Sequence, residues 1–352
     1  MTESLWYNVL MSAEQRPHVP ESREDTLLNN RELRRSDPYI MQVSGLVVAS
    51  DGVKRHSLLD VANTPFYGGS KILLKDKILN PNLILTDGMP LIEPVIKAMF
   101  DANSVNDFVI VGNEDQCEDL EEVASRNSNG KPYRVISNNG QHIGEVVALG
   151  ADNVSLSGYL FIAMSDLPYA NGQAVDFAVA DILRGESIGA DVYLPVVSAD
   201  FFNSHGDGWT STFSRLQKDG EKGKFRGLNF VIANSRNINP EAIKTYYEIR
   251  MIHSLKGMLN AVKHFPMLAP EVAIKHIIKY LTSRLSISDL EATGSELYDG
   301  ELRVVEVFHP VYASFMKDID TLRDYNAYRR KEVTNGTRNI RRKTKTSAVA
   351  DA

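Results

Sequence analysis

An aspartate stands where an apolar run ends. The segment GYLFIAMSD (158–166) is apolar for most of its length and closes on Ser165-Asp166-Leu167-Pro168. Such a run reads as a strand buried on both faces. Its terminal carboxylate leaves the core in a turn that Pro168 stiffens. A carboxylate there is a hard oxygen ligand suited to Mg²⁺, which takes one or two carboxylates and completes its shell with phosphate oxygens and water. The plainer reading of Asp166 is a turn or helix-capping aspartate. A second acidic pair lies far along the chain, in Asp318-Ile319-Asp320-Thr321. Alternation in an extended segment would put Asp318 and Asp320 on one side. At a helix start, Asp320 or Thr321 would simply be the N-cap. Two acids that meet across a nucleotide suit metal-assisted nucleotidyl transfer, because the ion neutralises the triphosphate and aligns the attacked phosphorus. The third candidate is Gly68-Gly69-Ser70-Lys71. Its glycines permit close backbone approach and Lys71 offers a mobile charge to phosphate, although many surface loops share this composition.

These residues need a scaffold. VSGLVVAS (43–50), DFVIVGN (107–113), YRVIS (133–137), GYLFIAMSD and DVYLPVV (191–197) read as buried strands. Helical spacing appears in LIEPVIKAMFDA (91–102), with Pro90 and Pro94 in or near its first turn, where proline is tolerated. It recurs in EDLEEVASR (118–126), HIGEVVALGA (142–151) and AVDFAVADILRG (174–185), the last closed by glycine. Alternating strands and helices predict a three-layer α/β domain with a mostly parallel sheet. Ligands of such sheets bind at the carboxyl ends of the strands. The polar punctuation falls at those ends: Ser50-Asp51-Gly52, Gly112-Asn113 and Ser165-Asp166.

Beyond residue 200 the pattern changes. FRGLNFVIAN (225–234) predicts one strand, ELRVVEVF (301–308) another, and DIDTLRDYNAYRR (318–330) opens a final helix. Helical stretches over 240–264 and 270–284 make a helical insertion in the second half, spanning about 240–290. Their Lys and His residues read as a solvated basic face; the alternative is peripheral docking through 240–284 on anionic lipid or a protein partner. Residues 1–38 read as a flexible lead-in and 39–330 as the domain. Residues 331–352 are polar and basic and read as a disordered tail.

At 43% hydrophobic and 24% charged, the 352-residue chain has the composition of a soluble globular protein. A formal charge of −6 argues against DNA as a partner, since a domain that binds it should be basic. The single cysteine, Cys117, rules out an internal disulfide and a zinc site of several thiolates. Acids at 114, 115, 118 and 119 should raise its pKa and make it a poor nucleophile. His142, His205 and His253 lack ligand-like spacing, and no Walker A or Gly-x-Ser-x-Gly motif occurs. No run reaches the ~18 apolar residues of a membrane span, and the first 25 residues do not read as a secretory signal. A cytoplasmic location is the expectation, with a homo-oligomer left open.

The order of motifs resembles a known family. A strand with a small-residue loop (VVASDG) is followed by a lysine in SKILL, then DGMPLIEPVIKAMFDA and DFVIVGN. NNGQHIGEVVALG, the SDLP strand end and the late DIDT segment complete the series. Together they look like the MobA-like NTP transferases, a branch of the GT-A-type nucleotidyltransferase superfamily. Gly88-Met89-Pro90-Leu91-Ile92 is similar to that family's "GKPMI" segment. The resemblance covers roughly residues 43–330. It implies a Rossmann-like GT-A-type fold, with the loop Ala49-Ser50-Asp51-Gly52 against the nucleotide. It implies that Lys71 contacts the triphosphate and that Asn139 and Gly140 sit near the base. Asp166 would be the principal Mg²⁺ ligand, completed by Asp318 or Asp320. Arg215, Lys224 and Asn229 would flank the acceptor pocket. The family's first loop is usually of the form "AGGxxxRMG", whereas this chain has Asp51 there and its basic residues later, at Lys54 and Arg55.

The expected function is therefore Mg²⁺-dependent transfer of NMP from an NTP to a phosphorylated or hydroxylated small-molecule acceptor, releasing pyrophosphate. Lys71 and Asp166 would carry the catalysis. A GT-A-type glycosyltransferase using a nucleotide-sugar is the first alternative, although its usual strand end is Asp-x-Asp and this one holds a single acid. A non-catalytic relative that binds a nucleotide or protein partner is the second, favoured by the altered first loop.

Overall fold

The computed structural model describes residues 42–49, 85–86, 89–138, 142–155, 158–184, 189–206, 213–244, 279, 284–319 and 328. All of them belong to the unit Met41–Ala352. The expected lead-in and tail lie outside the described residues, as does most of 240–284.

The strands are β1 (Val43–Val48), β2 (Leu85–Thr86), β3 (Met89–Pro90), β4 (Val105–Asn113), β5 (Tyr133–Asn138), β6 (Tyr159–Met164), β7 (Val192–Ser198), β8 (Ser214–Lys218), β9 (Glu221–Gly227), β10 (Phe230–Asn234) and β11 (Leu302–Glu306). The helices are α1 (Glu93–Asp101), α2 (Cys117–Asn127), α3 (Ile143–Asp152), α4 (Gly172–Arg184), α5 (Ala199–His205) and α6 (Ile287–Tyr298). Among the described residues, nine strands form one sheet in the order β5-β4-β1-β6-β10-β7-β9-β8, with β11 on β7; β2 and β3 make a separate small hairpin. β5, β4, β1 and β6 pair in parallel, as do β7 and β11. β10 runs antiparallel to both β6 and β7, and β9 antiparallel to β7 and β8. So only β9 and β10 run against the common direction, and the mostly parallel α/β sheet read from the sequence is the one observed.

Strand alternation builds a core on each face. In β1, Val43 and Val47 join Met99, Leu120 and Val179 on one side, while Leu46 and Val48 join Val146 and Val147 on the other. Helices α1, α2 and α4 thus cover one face, and α3 the opposite one, giving three layers. Glycine lets these layers approach. A Cβ on Gly144 of α3 would lie 1.8 Å from the Pro240 carbonyl oxygen, which seats the next segment directly on that helix.

Several local expectations change. Pro90 lies in β3, not in a helical first turn, and α1 begins at Glu93 with Pro94 just inside it. The segment 225–234 is not one strand but the end of β9 and all of β10. Both run along β7, yet their register differs. Val196 faces Gly227 and Tyr193 faces Ile232, where unbroken pairing would give Phe230. Two extra residues are thus absorbed around Leu228-Asn229, a bulge between the two strands. The β8–β9 hairpin and α6 were not foreseen. The hairpin turns on Asp219-Gly220, both at positive φ (52° and 84°), the Asp-Gly signature of a two-residue hairpin loop. Helix α6 starts with a reciprocal cap between Ser286 and Asp289. Of the expected final helix, Asp318 and Ile319 are not helical, Tyr328 is, and 320–327 and 329–330 lie outside the described residues.

Gly144→Ala should lower stability by about 3 kcal/mol, because the added methyl meets backbone rather than a movable side chain. Urea unfolding measures it, and an unshifted midpoint would refute this close approach.

Candidate active site

The parallel strands end together. Val48 of β1 pairs with Met164 of β6 and with Val111 of β4. The chain therefore leaves β1 beside the point where it leaves β6. Ala49, buried just past β1, donates its N–H to the Val111 carbonyl at 2.9 Å. Ser165 and Asp166 form the turn after β6. Helix α4, the next helix, is not capped by Asp166. Asn171 does that work, its Oδ1 accepting from Ala174 N–H at 3.0 Å. The plainer capping role for Asp166 is thereby assigned to another residue.

The second acidic segment reaches the same place. Ile319 donates its N–H to the Asp166 carbonyl at 3.1 Å. A contact between residues so distant in sequence brings Asp318 to the end of β6. Ile319 also packs with Leu91 and Tyr328, against Tyr169. The Lys317 ammonium lies 5.3 Å from the Tyr169 ring centre. The segment around Leu91, just past the Gly-Met-Pro stretch, thus joins the same corner.

Asp318 does not stand alone. The Arg226 guanidinium donates to its Oδ1 at 2.7 Å and to the Met316 carbonyl at 2.9 Å. Its carbon also lies 5.3 Å from the Phe202 ring centre. The Arg226 and Asp318 side chains are only 9% and 11% exposed. Burial alone would push the Asp318 carboxyl up, but the Arg226 charge and hydrogen bond, aided by Asn229, hold it below the usual range. Breaking such a buried pair by removing one partner costs about 3–5 kcal/mol. Asn229 is buried in the bulge between β9 and β10. Its carbonyl accepts from Met164 N–H at 3.2 Å and its N–H donates to the Phe315 carbonyl at 3.5 Å. One bulged residue thus ties β6 to the segment that carries Asp318.

The remaining expected residues divide into two groups. Arg215 and Lys224 face each other across the β8–β9 hairpin, both exposed. They share the sheet face of Arg226, since residues two apart on a strand point the same way. They form a basic row leading toward the acidic corner. Ser50, Asp51, Gly52, Lys71, Asn139, Gly140 and Asp320 lie outside the described residues. Asn138 and His142, which bracket the 139–140 pair, are described. Asn138 is buried at the end of β5, and His142 caps α3, its ring accepting from Glu145 N–H at 3.4 Å. Among the described residues no cluster of three or more His, Cys, Asp or Glu could hold a metal by itself. Sequence reasoning missed Arg226 and Lys317. The signal for Arg226 was present: Lys224-Phe225-Arg226 alternates just past the Asp-Gly turn. Burial, more than the neighbouring acids, raises the Cys117 thiol; a hydrogen bond with Ser137 opposes, and Asp115 and Glu114 add to the rise.

No family model matches this chain, and no curated protein matches its sequence. Solved structures do. A protein described as a hypothetical transferase from Thermus thermophilus superposes with a TM-score of 0.54 at 18% identity, over 81% of this chain and 100% of its own. The chain shares that fold. A CMP:2-keto-3-deoxy-manno-octonic acid synthetase solved with CTP superposes at 0.47 and 9% identity, over 84% and 99% of the two chains. A 4-diphosphocytidyl-2C-methyl-D-erythritol synthase from Anaerococcus prevotii gives 0.44 and 8%, over 83% and 99%. Both lie below the level at which a likeness carries weight.

The depressed Asp318 carboxyl fixes a pH signature. Its stabilisation is complete above the unfolded carboxylate value near 4 and is lost as pH falls through the lower folded value. Asp318→Asn should cost about 3 kcal/mol at pH 7 by leaving Arg226 unpaired. The gap from wild type should begin to narrow below about pH 4 and close only once pH has fallen past the lower folded value, where wild type loses the same charge. Urea unfolding at several pH values measures this, and a gap independent of pH would count against it.

Proposed function

We propose that this chain is a nucleotidyltransferase that moves NMP from an NTP to a phosphorylated or hydroxylated small-molecule acceptor and releases pyrophosphate. The observation that carries the reading is the hydrogen bond from Ile319 to the Asp166 carbonyl, which gathers two distant acidic segments at the ends of β1 and β6. That is the edge at which open α/β sheets bind ligands. The shared fold of a protein described as a transferase agrees with it, and the motif order supports the MobA-like branch as the finer assignment.

Asp166 would hold Mg²⁺, with a second carboxylate from the Asp318–Asp320 pair. When bound, the ion would neutralise charge on the triphosphate. The rest of the work falls to positioning, because in-line attack on phosphorus needs little covalent help from protein groups. The loop Ala49–Gly52 would face the nucleotide with its backbone N–H groups, and Lys71 would meet the phosphates. Asn139 and Gly140 would flank the base. Arg215 and Lys224, on the exposed hairpin face, would attract an anionic acceptor, and Asn229 would hold the floor of the pocket. Among the described residues no helix is long and apolar enough to cross a membrane, and we place the reaction in the cytoplasm.

Thermal melting against ATP, CTP, GTP and UTP, with and without Mg²⁺, tests this. One NTP should stabilise the wild type only with Mg²⁺, by about 2.7 kcal/mol at a hundred times its Kd. Asp166→Asn should abolish the effect. Melting unmoved by every NTP at millimolar concentration would end the proposal.

A further inference from the structure

Asp318 has two claimants at this corner: the divalent cation of the proposed reaction and the Arg226 guanidinium. The geometry decides between them. Arg226 is anchored three ways, to the Asp318 carboxylate, to the Met316 carbonyl and over the Phe202 ring. Both partners are sequestered from water, so parting them leaves a buried charge uncompensated. A cation that drew Asp318 away would forfeit about a hundredfold or more in affinity to that cost. Few Mg²⁺ sites could bear such a loss, because Mg²⁺ already sheds its water reluctantly.

We infer that Asp318 is the counter-ion of Arg226 and not a metal ligand, and that the Arg226–Asp318 pair is a positioning clamp for Asp166. The inference rests on the nucleotidyltransferase reading, which supplies the cation. The clamp acts along the backbone. Arg226 grips Met316 and Asp318, these hold the 316–319 segment, and Ile319 N–H then holds the Asp166 carbonyl at 3.1 Å. Asn229 secures the same segment from the other side, through Phe315 and Met164. The pair also keeps the corner electrically balanced, since a lone Arg226 charge would repel a cation. Two charges that cancel are what the site requires of residues 226 and 318, rather than a second oxygen ligand.

The test is a set of Mn²⁺ titrations on the full chain without nucleotide, read from the loss of the free-ion electron paramagnetic resonance signal. Asp166→Asn should abolish binding. Asp318→Asn should weaken it at least tenfold by unmasking Arg226. Adding Arg226→Gln to Asp318→Asn should restore affinity to within threefold of wild type, because the two amides can still hydrogen-bond across the clamp and leave no charge unbalanced. A strut without an electrostatic role would make the double variant no better than the single. Arg226→Lys, which keeps the charge and perturbs packing least, should bind Mn²⁺ as wild type does. If the double variant fails to fold, Arg226→Lys decides: a tenfold gain there, from loosened hold on Asp318, overturns the inference. A double variant as defective as Asp166→Asn overturns it too and makes Asp318 a ligand, with the enzymatic reading intact. Wild type blind to Mn²⁺ would overturn the inference, and wild type also unmoved in melting by every NTP with Mg²⁺ would bring down the enzymatic reading with it.

Discussion

An ion pair can leave water only where the surrounding chain satisfies the hydrogen bonds that water gave up. Around Arg226 and Asp318 this demand falls on the Met316 carbonyl, which takes one guanidinium N–H, and on the Asn229 side chain, which approaches the carboxylate. The demand constrains much of the molecule. β9 must hold Arg226 toward the α5 side of the sheet, and the chain after the 3-10 turn Pro310–Phe315 must run past the end of β6. The bulge between β9 and β10 must present its polar backbone to both. The corner is therefore held by its buried charges, and the Ile319 backbone hydrogen bond ties Asp166 to it.

The parallel half of the sheet was legible in the sequence because both of its faces are buried. Runs such as VSGLVV and DFVIVGN have no polar face to confuse the reading, and their ends carry the polar residues. The antiparallel half was harder. In β9 the face with Phe225 is buried while Lys222 and Lys224 stand in water, so the segment holds no apolar run that reads as a strand. The Asp219-Gly220 turn marked it, but only if the alternation on both sides was weighed with it. Helix α6 was similarly hidden, since among its residues only Leu297 is fully buried and its strongest sign is a cap rather than a stripe.

At the corner, the sequence offered both acids as candidates but not the contact between their segments. Asp166 could be proposed from its place at a strand end. The ion pair of Asp318 could not be read, because its partner, Arg226, lies 92 residues earlier and is joined to it only by tertiary structure. Charge pairing across such a separation leaves no local pattern to read. By contrast, the end-of-strand rule needed only the direction of the sheet, which alternation of strands and helices already implied.

The register slip between β9 and β10 carries a parity rule. Two residues are absorbed around Leu228-Asn229, so alternation stays in phase: Arg226 faces Val197 and Ile232 faces Tyr193, all toward the same layer. An odd slip carried into the register, and not taken up by a further bulge, would invert every side chain on one side of it. Arg226 and Lys224 would turn toward α6, and Phe225 would take their place beside the acids. Length variation in this connection is thus constrained: a relative of this protein can gain residues there in pairs and keep its acidic corner, but a gain of one must be bulged out of the register or it dismantles the corner without touching any residue of the corner itself.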